Sequence, residues 1–195
     1  MAAHGCACAL ATDAGAGVGP PPPGSGRRLL STGPSYAWLK VGEGCRHKCA
    51  FCTIPSIRGK LASLPAEHLV AEAGALLDQG VRELALVAQD LTSWGLDMGL
   101  KNGLPLLLER LAALKGLDWL RLLYLYPTGV TPELLRCMRD FGPPVLPYLD
   151  IPLQHAHPDV LSRMGRPFAR DPRKVLDLVR GVLPHAVLRT TFIVG

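Results

Sequence analysis

A chain of 195 residues with 48% apolar and 19% charged residues is long enough for one domain with a sizeable core, and that balance excludes disorder as its overall state. The net charge of +5 suits an anionic partner, but the 21 Lys and Arg residues are scattered along the chain, so charge alone does not argue for nucleic-acid binding. No apolar run reaches the roughly 18 residues that a membrane helix needs; residues 1–15 lack the basic start of a secretion signal and Asp13 interrupts their apolar stretch, so a cytoplasmic protein is expected.

Residues 1–33 are rich in Ala, Gly and Pro, including Pro20 to Pro23. Such a segment cannot bury enough apolar surface to offset the entropy of ordering it, and it reads as a disordered leader or linker. Over residues 34–195, apolar runs of strand length alternate with amphipathic segments of helix length, the pattern of repeated βα units. The first strand is expected over Ala37 to Val41, followed by a helix over Ala66 to Asp78 that is entered through Pro65 and closed by Gly80. A second strand, Glu83 to Ala88, leads to a helix over Leu104 to Leu114. The third, Trp119 to Tyr126, leads to a helix over Thr131 to Phe141, whose Thr-Pro-Glu start gives an N-cap and a proline in the first turn. The fourth strand is Val145 to Ile151, then a short helical turn at Asp159 to Met164 and a longer helix over Pro172 to Leu183; the fifth strand is Val187 to Val194. Five strands in that order predict an α/β fold with a parallel, barrel-like sheet.

Ligands of parallel α/β sheets sit beyond the carboxyl ends of the strands, where the loops converge. The chemistry-bearing residues fall there: Cys45 to Cys52 after the first strand, Gln89 and Asp90 after the second, Tyr126 to Thr128 after the third, Gln154 and His155 after the fourth.

Three of the six cysteines, Cys45, Cys49 and Cys52, form a C-x3-C-x2-C loop. Without a secretion signal a disulfide framework is not indicated, and a loop carrying Arg46, His47 and Lys48 is not a core segment, so metal is the better reading. Three close thiolates can hold three corners of a compact iron-sulfur cluster, leaving the fourth iron open to a ligand. Zinc with His47 as fourth ligand is the competing reading, as a structural site of an interaction module, although zinc ligands usually come as separated pairs.

The spacing C-x3-C-x-aromatic-C, with Phe51 as the aromatic residue, resembles the signature of the radical S-adenosylmethionine (SAM) superfamily. The segments YAWLKVGEGCRHKCAFCTIPSIRGKLASLP, ELALVAQDLTSWG, LRLLYLYP and YLDIPLQHAHPDVLSRMGR together resemble the RimO-type methylthiotransferases, which modify an aspartate of a small-subunit ribosomal protein. The resemblance implies a partial (β/α)6 barrel, here ending after the fifth strand, with a 4Fe-4S cluster on Cys45, Cys49 and Cys52. It implies SAM on the open iron, near Phe51 and Ile193, with Gln89 and Gln154 toward its amino acid and ribose. Arg166 is a candidate partner for the SAM carboxylate, since a guanidinium binds a carboxylate in two-pronged fashion. The implied partners are the ribosomal protein and an electron donor such as flavodoxin or ferredoxin, with no membrane. Nucleic acid enters only under the alternative of a tRNA-modifying, MiaB-type relative, which usually differs at the segments corresponding to VAQD and DIPLQHA.

Arg58 and Lys60 could hold an acidic substrate or a reductant, and His155 and His157 could be proton donors, metal ligands or caps. The family also carries an amino-terminal domain with a second cluster and a carboxyl-terminal β-barrel; neither is read here, and Cys6, Cys8 and Cys137 are assigned to no cluster. The expectation is a core that forms the radical without completing the transfer. Limited proteolysis tests the leader: it is expected to trim the chain to a core beginning near Ser35, and protection of Gly15 to Gly26 from several proteases would contradict the reading.

Overall fold

The computed structural model describes residues 30, 33, 35–166 and 171–194. The leader expected over residues 1–33 therefore lies outside the described residues, except for Leu30, which packs half-buried against the core, and Gly33. Strands β1 (Tyr36–Lys40), β4 (Glu83–Val87), β5 (Trp119–Leu122), β6 (Val145–Asp150) and β7 (Val187–Arg189) form one sheet in the order β1-β4-β5-β6-β7. Every pairing in it is parallel, as expected from the βα alternation.

Helices α2 (Ala66–Asp78), α3 (Gly103–Ala112), α4 (Pro132–Phe141) and α6 (Lys174–Val182) connect the strands and pack in sequence beside one another, α2 on α3, α3 on α4 and α4 on α6. Their apolar stripes and one face of the sheet enclose a core rich in leucine, with Leu39, Leu84, Leu86, Leu107, Leu108, Leu111, Leu120 and Leu122 all fully buried. The two-residue period of a strand divides β5 cleanly: Leu120 and Leu122 point into the helical layer, while Trp119 and Arg121 point to the other face. That second face carries polar and aromatic side chains. Arg121 Nε donates to Glu83 Oε1 at 2.6 Å and its guanidinium lies 4.8 Å from the centre of the Tyr148 ring, while Tyr36 and Trp38 meet edge to face at 6.0 Å.

Local signals account for the helix ends. Thr131 Oγ1 accepts from Leu134 N at 3.2 Å with Pro132 in the first turn, and the chain leaves α2 through Gly80 at φ 95°. Cys137 is buried in α4, where a thiol serves as a small apolar group.

Two strands are shorter than their apolar runs. β5 ends at Leu122 because Tyr124 takes a left-handed conformation at φ 58°, which no ladder accommodates. β7 ends at Arg189, and Phe192 rejoins only as a single bridge to Gln154. The short hairpin of β2 (Gly42–Glu43) and β3 (Ala62–Ser63), and helix α1 (Ile54–Arg58), were not expected; none is long enough to show a period. Helix α5 (Pro158–Arg163) matches the expected short turn to within one residue. Among the described residues no helix is long and apolar enough to cross a membrane.

Leu122→Ala is expected to destabilise the protein by about 2–5 kcal/mol, because its fully buried side chain leaves a cavity, whereas Trp119→Ala three residues earlier should cost far less. Urea unfolding of the two variants checks the assignment of faces, and equal costs would contradict it.

Candidate functional site

The chain reaches the site through the hairpin. After β1, Gly42 and Glu43 pair antiparallel with Ser63 and Ala62, so the segment between them is closed at its base and projects over the strand ends. Gly44 is required at that base: it has φ 71°, and a Cβ there would lie 2.1 Å from the carbonyl oxygen of Lys60. Cys45 N then donates to Gly59 O at 3.2 Å, and Cys52 N to Cys49 O at 3.0 Å, which folds the three cysteines into a compact turn before α1.

A cavity of about 240 Å³ opens against this turn. Cys45, Cys49 and Cys52 line one side of it, with Phe51 beside them. Gln89 from the end of β4, Gln154 from beyond β6, and Arg166 from beyond α5 line the rest, together with Tyr124, Tyr126 and Thr191. Of the eight residues assigned from the sequence to the cluster or to SAM, seven thus share one cavity wall. The eighth, Ile193, is half-exposed off that wall, and its backbone N–H donates to Gln154 O at 2.8 Å. Gln154 N donates to Thr191 O at 2.8 Å, so this glutamine is pinned on both sides in a left-handed conformation of φ 72°.

His47 ties the loop to the sheet. Its ring stacks on Tyr126 with centroids 3.5 Å apart and planes inclined by 9°, and its Nε2 lies 2.7 Å from Asp90 Oδ2. Asp90 is 2% exposed and accepts from Thr92 N, Thr92 Oγ1 and Ser93 Oγ. Burial pushes its carboxyl up, but the bonds from His47, Ser93 and Thr92 outweigh this and hold it below its ordinary value. Asp90 is therefore a carboxylate at neutral pH, and it fixes the orientation of the imidazole.

The thiols sit in distinct surroundings. Burial pushes the Cys45 thiol above its ordinary value, against a lowering hydrogen bond from His47 N at 3.4 Å. Cys49 Sγ accepts from Arg166 Nη1 at 3.3 Å, and the Tyr126 hydroxyl lies 3.9 Å from it. Burial raises the Tyr126 hydroxyl well above its ordinary range, so it stays protonated. Arg166 is 6% exposed, donates from Nη2 to Pro152 O, and lies 4.5 Å from the centre of the Tyr126 ring. Its terminal nitrogens are thus already engaged.

Two observations bear on what the site can hold. Gln89 Nε2 donates to Glu43 Oε1 at 3.0 Å, but Gln89 Oε1 is buried on the cavity wall with no hydrogen-bond partner among the described residues, a vacancy that fits a donor on a bound molecule. Among the described residues no three Cys, His, Asp or Glu side chains gather closely enough to hold a single ion, as zinc would require. Three thiols sharing one cavity wall are the donor chemistry that an iron-sulfur cluster takes, each thiolate holding a separate iron.

The other candidates take structural places. His157 Nδ1 accepts from Asp159 N at 3.2 Å and caps α5, and His155 Nδ1 accepts from His157 N at 2.9 Å. Arg58 lies 3.8 Å from Glu43, whereas Lys60 joins Arg46 and Lys48 around a second cavity on the far side of the cysteine loop. Sequence reasoning missed Tyr124 and Thr191 as wall residues and the role of Asp90 as the anchor of His47; only the position of Asp90 at a strand end signalled it.

Comparison with known proteins matches residues 39–195 to the family model of the radical SAM superfamily. The chain is 66% identical over 168 residues to the ribosomal protein uS12 methylthiotransferase RimO of Nitratidesulfovibrio vulgaris (strain DP4), covering 86% of this chain and 39% of that protein. It is 58% identical over 168 residues to the enzyme of the same name from Lawsonia intracellularis, covering 86% of this chain and 38% of that one. The chain therefore spans less than half the length of these relatives. Among solved structures, the radical SAM methyltransferase TsrM from Kitasatospora setae, with cobalamin and a [4Fe-4S] cluster bound, shares the fold at a TM-score of 0.58 and 16% identity, covering 80% of this chain and 30% of that one. With the family model matched over residues 39–195, the chain belongs to the radical SAM superfamily.

Proposed function

We propose that this chain holds a 4Fe-4S cluster on Cys45, Cys49 and Cys52 and binds SAM in the adjoining cavity, as the radical-forming core of a methylthiotransferase acting on an aspartate of ribosomal protein uS12 in the cytoplasm. The observation that carries the reading is the convergence of the three cysteines with Phe51, Gln89, Gln154 and Arg166 on one cavity at the strand ends. The choice of substrate rests on the relatives named above, all of them described as uS12 methylthiotransferases.

When bound, the cluster supplies one electron to the sulfonium of SAM, releasing methionine and a 5'-deoxyadenosyl radical. The chain's own residues prepare the place. The N–H of His47 donates to Cys45 Sγ and the guanidinium of Arg166 to Cys49 Sγ, so these two sulfurs keep a hydrogen bond from the chain beside the iron each would hold. Gln89 Oε1 offers its unused acceptor to the SAM ammonium or a ribose hydroxyl, and Gln154 faces it from beyond β6. Phe51 supplies apolar surface toward the adenine, and Ile193 acts through its backbone bond to Gln154 O. The basic cavity of Arg46, Lys48 and Lys60 suits an acidic electron donor such as a flavodoxin or ferredoxin.

After anaerobic reconstitution the chain is expected to show the electron paramagnetic resonance signal of one reduced cubane cluster, altered by SAM, and to yield 5'-deoxyadenosine under strong reductant. Replacing Cys45, Cys49 or Cys52 singly by Ala should abolish the signal, since the three ligands act together. Stoichiometric zinc with no iron uptake would refute the cluster. Gln89→Leu should load the cluster normally but bind SAM on the order of tenfold more weakly, the loss of one hydrogen bond to a charged or hydroxyl donor. Equilibrium dialysis with labelled SAM measures this, and unchanged affinity would remove Gln89 from the binding set.

A further inference from the structure

We propose that Arg166 is a positioning residue for the cluster, which it serves by donating to the sulfur of Cys49, and that this contact raises the cluster's reduction potential. The inference rests on the reading of Cys49 as a cluster ligand.

A guanidinium with 6% exposure has lost almost all of its water, so its place must be defined by what it touches. Nη1 donates to Cys49 Sγ at 3.3 Å, Nη2 donates to Pro152 O, and the plane lies 4.5 Å from the centre of the Tyr126 ring. Both terminal nitrogens are used, one of them on a ligand sulfur. These two bonds use two of the five N–H groups of the guanidinium, one on each terminal nitrogen.

The backbone that delivers Arg166 is fixed to the same loop. Met164 O accepts from Ala50 N at 2.9 Å, in the middle of the cysteine segment. Gly165 follows at φ 69°, where a Cβ would lie 3.0 Å from Lys48 O, so only glycine lets the turn approach so closely. Arg166 N donates to Leu161 O at 3.0 Å and closes the turn. The last turn of α5 and the loop between Lys48 and Ala50 therefore form one body, and the Nη1 to Sγ contact is a built feature of it.

A positive charge and an N–H···S hydrogen bond at a ligand sulfur both favour the reduced, more negative cluster. Removing them shifts the midpoint to lower potential.

The test is a potentiometric titration, followed by electron paramagnetic resonance, of reconstituted wild-type protein, Arg166→Gln and Arg166→Lys, with SAM affinity measured alongside. The expected result is a more negative midpoint in Arg166→Gln and a midpoint largely restored in Arg166→Lys. Equal midpoints in the three loaded proteins overturn the inference, as does a tenfold loss of SAM affinity with the midpoint unmoved, which would assign Arg166 to the carboxylate. If neither variant loads, wild-type protein grown on 15N-arginine decides: a nitrogen hyperfine coupling to the reduced cluster supports the contact, and its absence overturns it. A wild-type chain that takes up no iron sinks the cluster reading itself, an outcome distinct from equal midpoints.

Discussion

The hydrogen bond between His47 and Asp90 is the constraint on which the rest of the site depends. The cysteine segment has no regular structure until α1, so its shape must be imposed from outside. Asp90 stands at the end of β4, one of the inner strands, and is held by three donors from the turn that follows it. Its buried charge orients the imidazole at 2.7 Å, and Tyr126, beyond the end of β5, meets the flat side of the same ring. One residue between two cysteines thus reads the positions of two neighbouring strands. The loop inherits its precision from the sheet, and sites built on regular elements hold their geometry better than sites built on loops.

That precision requires a sheet that does not shift. Fully buried leucines line the helical side of β4 and β5, and interiors packed in this way resist deformation. The opposite side is organised by charge and aromatic contact, with Arg121 joining Glu83 of β4 to Tyr148 of β6. Strand order and strand spacing are therefore fixed from both faces, and the loops at the carboxyl ends start from defined points. The hairpin of β2 and β3 closes the base of the cysteine segment, and Asp97 secures it by accepting from both the backbone N–H and the hydroxyl of Ser63 at 2.7 and 2.5 Å.

Much of this was legible in the sequence because it is carried by short-range signals. The helix over Ala66 to Asp78 came out with its bounds intact, since its apolar face repeats over several turns and Pro65 and Gly80 punctuate its ends. The five parallel strands followed from the alternation of apolar runs, and the cysteine loop from spacing alone. What was not legible depends on contacts distant in sequence. His47 looked like a possible metal ligand because Asp90 and Tyr126 are far along the chain, and Arg166 could not be told from a surface arginine until α5 was seen docked on Ala50. Tyr124 was read as one more strand residue; its reversal depends on the carboxylate of Asp150, which accepts from its N–H at 3.3 Å.

Tyr124 and Gln154 show how the cavity stores its shape. Both are non-glycine residues at positive φ, 58° and 72°, and both line the cavity. A left-handed conformation costs a residue with a side chain on the order of 1–3 kcal/mol and persists only where the surroundings over-determine it. Here they do. Tyr124 O accepts from Leu91 N at 3.0 Å while its N–H is held by Asp150, and Gln154 is bonded on one side to Thr191 and on the other to Ile193. These partners come from the ends of the neighbouring strands, so the strain is balanced by the sheet and not by the cavity's contents. The side chains of Tyr124 and Gln154 are consequently aimed before anything binds. In the same way the polar groups that face the cysteines are set in place by backbone conformation, and a bound molecule need not spend its binding energy on ordering them.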